Sequence, residues 1–429
     1  MRSEQPTGAR RAGSDVGTGR GAASGAATVR GMARITLVVL AAAIVACGAP
    51  GSGPDTDGLD TEKAAAAGSA AAETGLGFLE DREVYRPQFA SGADGSLYIV
   101  WRERGEERGA NLYISHYGEG GVFEPQVQIN DVPGSVGGSS LDEERASVAI
   151  GDNGVIAVAW TARGSDIRAA LSTDAGESFA PSVVLNSDEG ARAYRGFVDI
   201  DVDATGIAHA AWIDARFAPP RAEEPADLYY ARIEDGEVTE INLTEDQIDS
   251  ICACCRIDVN VRADNRLVIA FRNTGEGYRD IWRIEAGADH VFGAPARLGP
   301  PMWELRGCPV IGPLNVGEAT LWSEASTGKR RILVATDTES DYEVVVEDAD
   351  AWAIERPPRP VAGSDSSAMM LLLPGRPSGV ILGGAGMDWA VIAEDVPRWA
   401  MSAALIDGSL VVIGDLNGEF RAEFHELDG

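Results

Sequence analysis

Lysine is nearly absent from this 429-residue chain: Lys63 and Lys329 are the only two, so almost all of its 36 positive charges are arginines. Against 67 acidic residues, they leave a formal net charge of −31. Such a chain repels phosphate backbones and anionic lipid surfaces, which excludes nucleic acid as a partner. Arginine instead suits planar, two-pronged recognition of carboxylates, although a codon preference for arginine explains the same count. Histidine is scarce too. His116, His209, His290 and His425 show no ligand spacing and read as structural. Beyond residue 76 no long 3.6-residue periodicity occurs, so no long helices are expected there. The uncharged run Ile35 to Ala46 has twelve residues, too few to span a bilayer stably.

That run follows Arg30-Gly31-Met32-Ala33-Arg34 and leads into Ile44-Val45-Ala46-Cys47-Gly48. A basic start, a short apolar run and small residues before a break make a secretory signal, placed at residues 32–47. Small residues leading into a cysteine resemble the bacterial lipobox. The resemblance implies that Cys47 is lipidated and becomes residue one of the mature chain, anchored to a membrane in the cell envelope. Gly48 after it suits an outer-membrane or cell-surface destination. Residues 1–31 are polar and rich in Gly and Arg, an odd prelude to a signal, and translation is expected to start at Met32. Residues 48–75 carry almost no large apolar side chain and form a flexible tether. The folded domain is expected over 76–429.

What is plentiful is turn chemistry: 51 glycines and 21 prolines in a chain that is 45% apolar. The stretch Leu171-Ser172-Thr173-Asp174-Ala175-Gly176-Glu177-Ser178-Phe179-Ala180-Pro181 joins two short apolar strands. Asp174 can bond nearby backbone N–H groups, Gly176 tolerates positive φ, and Phe179 folds back to plug the hairpin. This stretch resembles the Asp-box (BNR) repeat of sialidase-like β-propellers. Weakened copies stand at Gly120 to Pro125, at Val291 to Pro295 and at Ala335 to Tyr342.

A longer frame appears when the hairpin turns are aligned. Gly95, Gly154, Gly206, Asn265 and Gly317 are each followed, five or six residues on, by an aromatic that ends a strand: Trp101, Trp160, Trp212, Phe271 and Trp322. These aromatics lie 59, 52, 59 and 51 residues apart. A period near fifty with several short strands in each unit marks a propeller. Five blades are expected between about 84 and 360. Residues 361–429 supply either one blade plus a hairpin or two shortened blades. The expected fold is therefore an all-β, six-bladed β-propeller, with seven blades as the alternative, and a terminal strand is expected to close the ring.

Nine residues before the turn position stand Arg86, Arg145 and Arg256; Arg195 stands eleven before Gly206, with Asp203-Ala204-Thr205 as a longer turn. Propeller strands at this place line the central channel, so four arginines are expected at one mouth. Two charges ~10 Å apart at an effective dielectric of ~20 repel by roughly 1.7 kcal/mol. Either local acids, Asp142, Glu143, Glu144, Asp199 and Asp258 among them, neutralise the ring, or it binds an anionic or carbohydrate ligand. Sialidases hold a substrate carboxylate with three arginines at such a mouth, and Tyr85-Arg86-Pro87 loosely resembles their Arg-Ile-Pro start. They attack with a late tyrosine assisted by a glutamate. Here the last tyrosine is Tyr342, and Glu103, Glu106 and Glu107 stand where a first-blade aspartate is expected. The resemblance thus covers architecture over about 84–360 and not an active site. It leaves two function classes: a binding or scaffolding module, monomeric, whose partner is a carbohydrate, a carboxylate or an envelope protein; and a sialidase-like glycoside hydrolase.

Five cysteines occur. Besides Cys47 they are Cys252, Cys254 and Cys255, which run straight into Arg256, and Cys308 in Arg306-Gly307-Cys308-Pro309. With Arg272-Asn273 and Arg279-Asp280 this pattern resembles a group of exported sialidase-like proteins. Inner strands of neighbouring blades converge, so the four cysteines should cluster. Two disulfides are one reading, least strained as Cys252–Cys255 with Cys254–Cys308, because adjacent residues are too close for an easy bond. Four thiolates holding Zn or Cu(I) are another, and a redox-active mixture a third. No other cofactor is expected.

Overall fold

The computed structural model describes residues 75–427 apart from 106–108, 138–145, 220–224, 300–302, 306–310, 328–330, 337–341, 348–358, 364–368, 374–378, 385–386, 395, 398 and 426. The chain divides into two units, 1–50 and 51–429, and every described residue belongs to the second. The expected signal with Cys47, the upstream extension and nearly all of the tether lie outside the described residues, as do Arg145 and Cys308. Among the described residues no helix is long and apolar enough to cross a membrane.

Four-stranded antiparallel meanders dominate. The first holds β1 (Val84–Ser91), β2 (Leu97–Arg104), β3 (Ala110–His116) and β4 (Val127–Gln128). The second holds β5 (Ser147–Ile150), β6 (Ile156–Thr161), β7 (Ile167–Ser172) and β8 (Val183–Val184). The third comprises β9 (Arg195–Val202), β10 (Ala208–Asp214), β11 (Asp227–Glu234) and β12 (Glu237–Asn242). β13 (Asp258–Val261), β14 (Leu267–Arg272), β15 (Ile281–Ala286) and β16 (Ala296–Leu298) make the fourth. The fifth is β17 (Leu314–Val316), β18 (Ala319–Glu324), β19 (Arg331–Ala335) and β20 (Tyr342–Glu347). The sixth sheet has seven strands: the meander β21 (Arg359–Ala362), β22 (Met369–Leu373), β23 (Gly379–Gly384), β24 (Met387–Glu394), and the three-stranded meander β25 (Ala400–Ile406), β26 (Ser409–Leu416), β27 (Glu419–His425). The two halves join where β21 pairs in parallel with β25 through Val361–Ala403 and Ala362–Ala404.

Each meander buries both faces, which is why its strands read as near-continuous apolar runs rather than strict alternations. Val100, Leu112 and Ile114 pack on Ile156, Val158 and Trp160. Ala157 and Ile167 pack on Ile200, Ala208 and Trp212. Ile213 and Leu228 meet Ile257, Ile269 and Phe271, and further cores follow onward. The last joins Ile413 and Phe420 to Ile99 and Trp101, so the chain of cores returns to its start. Backbone bonds close it as well: Glu83 bridges Glu419, and Val84 N–H donates to Gly418 O at 3.0 Å. Sheets packed face to face in a closed cycle make a β-propeller. The closing contact is thus one bridge beside a three-stranded meander, not the paired terminal strand expected.

The local signals hold. All five turn positions lie in the left-handed region, with φ of 85, 77, 91, 61 and 55° at Gly95, Gly154, Gly206, Asn265 and Gly317. The aromatics that follow are all buried. In the complete Asp box, Asp174 accepts from Ser172 Oγ at 2.7 Å and from Ser178 N at 2.9 Å. These hydroxyl and amide donors hold its exposed carboxyl down at about 2. Two weakened boxes close the same hairpin through the bridges Tyr117–Phe123 and Ala286–Phe292.

Candidate functional site

Inner strands are edge strands, and their outward N–H groups need acceptors. Side chains seven residues before the turns, Gln88, Ser147, Asp199 and Asp258, make the links between blades. Gln88 Nε2 donates to Ala146 O at 2.7 Å. Ile200 N–H donates to Ser147 Oγ at 3.3 Å, Val259 N–H to Asp199 Oδ2 at 2.7 Å, and Asn315 N–H to Asp258 Oδ2 at 2.7 Å. Phe89 N–H donates to Ser402 Oγ at 3.0 Å, across the closure of the ring. Burial, then the neighbouring Asp199, push the Asp258 carboxyl well above the usual range. The same influences push Asp201 up to about 7.

The arginines expected to form a ring part company. Arg256 Nη2 stands 3.3 Å from Asp199 Oδ1 and 3.8 Å from Asp258 Oδ1, so local acids do neutralise it. Arg195 departs from the expectation. Its side chain has no exposed surface and lies between Asp214, at 2.8 Å from Nε, and Asp188. The reason is register. Arg86, nine before its turn, has φ 53°, and the residue in the same place of the third meander is Phe197, also φ 53°. Both sit where pairing with the next strand slips. Arg195, two residues earlier, therefore belongs to the buried end of β9 rather than to the mouth. Arg145 lies outside the described residues.

Arg86 borders a shallow recess between the first two meanders, with Gln88, Arg102, Trp101, Trp160 and Thr161 among its lining groups. Arg102 Nη1 donates to Gly137 O at 3.1 Å, and its guanidinium carbon lies 5.9 Å from the centre of the Tyr85 ring. Two lining groups are buried without a hydrogen-bond partner among the described residues: Trp160 Nε1 and Thr161 Oγ1. Related tryptophans are served differently. Trp101 Nε1 donates to Glu103 at 2.7 Å and Trp212 Nε1 to Asp214 at 3.0 Å, each to a carboxylate two residues on. The corresponding residue after Trp160 is Ala162, which has no acceptor side chain. Among the described residues no carboxylate takes that place, and the recess bordered by Arg86 and Arg102 lies beside the indole N–H.

At the start of β13 the cysteines gather as the pattern implied: the sulfurs of Cys252, Cys254 and Cys255 lie within 4.8 Å of one another. The expected Cys252–Cys255 bond is absent. Both are free thiols, their sulfurs 3.1 Å apart across the tight turn that Cys255 N–H closes on Cys252 O. Cys254 is disulfide-bonded. The hydrogen bond shared with Cys255 pulls the Cys252 thiol down to about 7, while burial pushes Cys255 well up. The cation beside them is Arg272, one of the arginines of the motif read in the sequence. It is fully buried, donates to Ile311 O at 2.9 Å, to Ser323 O at 3.0 Å and to Arg279 O, and stacks 5.0 Å from the Trp303 ring centre.

A family model described as a BNR repeat-containing family member matches residues 61–289. Curated proteins give no match. Among solved structures, a Hadza microbial sialidase shares 12% identity, covering 77% of this chain and 76% of that one at a TM-score of 0.44. The acylaminoacyl peptidase of Pyrococcus horikoshii shares 13% over 82% of this chain and 52% of its own, at 0.44, so the chain spans about half the length of that enzyme. The α-L-arabinanase of Penicillium chrysogenum shares 14% over 69% of this chain and 91% of its own, at 0.41. A sialidase, a peptidase and an arabinanase have little chemistry in common, and none of the three carries an activity to this chain.

Proposed function

Because the chain belongs to the BNR repeat-containing family, we propose that its propeller is a non-enzymatic binding module for an anionic sugar, held outside the cytoplasm by a lipid on Cys47. The observation that carries this reading is the Trp160 N–H in the Arg86–Arg102 recess, which has no hydrogen-bond partner among the described residues. An N–H left without an acceptor costs roughly 1–3 kcal/mol. A ligand carboxylate placed there supplies what Glu103 and Asp214 supply to Trp101 and Trp212, and it does so beside two guanidinium groups suited to carboxylates. Arg256 already faces Asp199 at 3.3 Å, which removes it from ligand duty. The glycoside hydrolase alternative has less support, since the last tyrosine is Tyr342. In this reading the protein is a monomer of the cell envelope, and Cys308 is the partner of Cys254, pinning the fifth blade to the fourth.

A panel of chromogenic glycosides that includes sialosides and glucuronides tests the choice. The expected outcome is saturable binding of acidic sugars with no turnover; turnover lost in Arg256→Ala would replace the binding reading by the hydrolase. The anchor has its own test. Cys47→Ser is expected to move the protein from the membrane fraction to the soluble fraction, and a variant that stays membrane-bound would remove the lipid from the account.

A further inference from the structure

We infer that Asp203, His209 and His290 form a binding site for a divalent transition-metal ion, with zinc the best match, that staples the third blade to the fourth. Asp203 lies in the turn between β9 and β10, and His209 follows on β10. His290 comes from the turn after β15, in the next meander. The three ligand atoms lie within 4.8 Å of one another. Strand direction places this site at the end of the blades opposite the recess and the cysteines.

The spacing is that of ligands around an ion. Asp203 Oδ2 stands 3.4 Å from His209 Nε2 and 3.8 Å from His290 Nε2. The first is a long hydrogen bond and the second lies beyond hydrogen-bond range, and both are longer than the 2.7–2.9 Å of a charge-assisted pair. The edge of a tetrahedron with zinc–ligand bonds of about 2.05 Å is about 3.3 Å. Two imidazole nitrogens and one carboxylate oxygen suit zinc, and a water reaching the ion from the His290 side completes four ligands. That side is the open one: the His290 side chain is 16% exposed, against 1% for the other two.

The supporting contacts are those a metal site needs. Asp203 Oδ1 is fully engaged, accepting from Thr205 N at 2.8 Å, Thr205 Oγ1 at 2.6 Å and Ile207 N at 2.9 Å, which leaves Oδ2 to face the two rings. His209 Nδ1 meets Tyr230 Oη at 2.7 Å, which fixes the ring with Nε2 toward Asp203. The two imidazoles lie edge to face, 4.7 Å apart. His290 holds φ 58° in its turn, a conformation uncommon for a residue other than glycine.

The test is calorimetric titration of the metal-stripped full chain with Zn2+, and of His290→Gly, which keeps the left-handed turn and removes one ligand. The proposal expects one Zn2+ per chain from this site, bound at least roughly tenfold more weakly by the variant. Co2+ on the same protein separates this site from the cysteines: nitrogen–oxygen ligands give visible d–d bands without a thiolate charge-transfer band. Equal binding by the variant, no binding by the folded wild type, or a thiolate band that accounts for all bound Co2+ would overturn it.

Discussion

Asp214→Ala is expected to lower folding stability by about 3–5 kcal/mol, the cost of leaving a buried charge without its partner. Asp214 is 1% exposed and accepts from Trp212 Nε1, from Arg195 Nε at 2.8 Å and from Arg216 through both backbone and side chain. Burial works against its charge, but the bonds from Arg216 and Trp212, with the field of Arg195, hold its carboxyl below the usual range. Its removal leaves Arg195, whose side chain is fully enclosed, with Asp188 as its one carboxylate partner among the described residues, beside the carbonyls of Ala191 and Ser165. Thermal unfolding should show a midpoint lower by on the order of 10 °C. Asp214→Asn, which keeps acceptors but no charge, should fall between the two. A loss under about 1 kcal/mol for the alanine variant would mean that the network is dispensable.

The second large effect belongs to Arg272→Met. Its guanidinium is the donor for the carbonyls of Ile311, Ser323 and Arg279. A methionine fills much of the space but donates nothing, so three buried carbonyls lose their partner at roughly 1–3 kcal/mol each. A total of about 3 kcal/mol or more is expected in denaturant unfolding. The variant carries a second readout. Arg272 lies close enough to help lower the Cys252 thiol, after the larger effect of Cys255. The pH midpoint of thiolate absorbance should therefore start near 7 and rise in Arg272→Met. A midpoint that stays put, with stability unchanged, would show that Arg272 neither supports the loop nor touches the thiols.

Much of the fold was legible because its signals are local. A left-handed residue in a hairpin turn and an aromatic six residues later require only the chain on either side, and they located the second strand of each of the first five meanders. The Asp box was read from hydroxyl, carboxylate and glycine within one turn. The ring of arginines failed for a physical reason as well. Arg195 was matched to Arg86 by residue type, but β-structure keeps count by position, and the position held Phe197. The recess left a trace that a fixed offset would have found: Trp101 and Trp212 have an acid two residues on, and Trp160 has Ala162. The pairing of His209 with His290 left none. The two are 81 residues apart, on different blades, and meet only through the packing of one sheet on the next. The cysteine cluster was found by motif, but which sulfurs stay free depends on a turn geometry that spacing does not encode.

Calorimetric titration with glucuronic and N-acetylneuraminic acids and with their methyl esters, on the wild-type chain and on Trp160→Phe, tests the recess most directly. Phenylalanine keeps an aromatic ring in the cluster with Val158 and Ile114 and removes the N–H along with the rest of the five-membered ring. At least one acid should bind the wild type, its ester should bind more weakly by roughly tenfold or more, and Trp160→Phe should erase that preference while the fold is unchanged. Acid and ester binding alike, or an acid preference that survives in Trp160→Phe, would contradict the account.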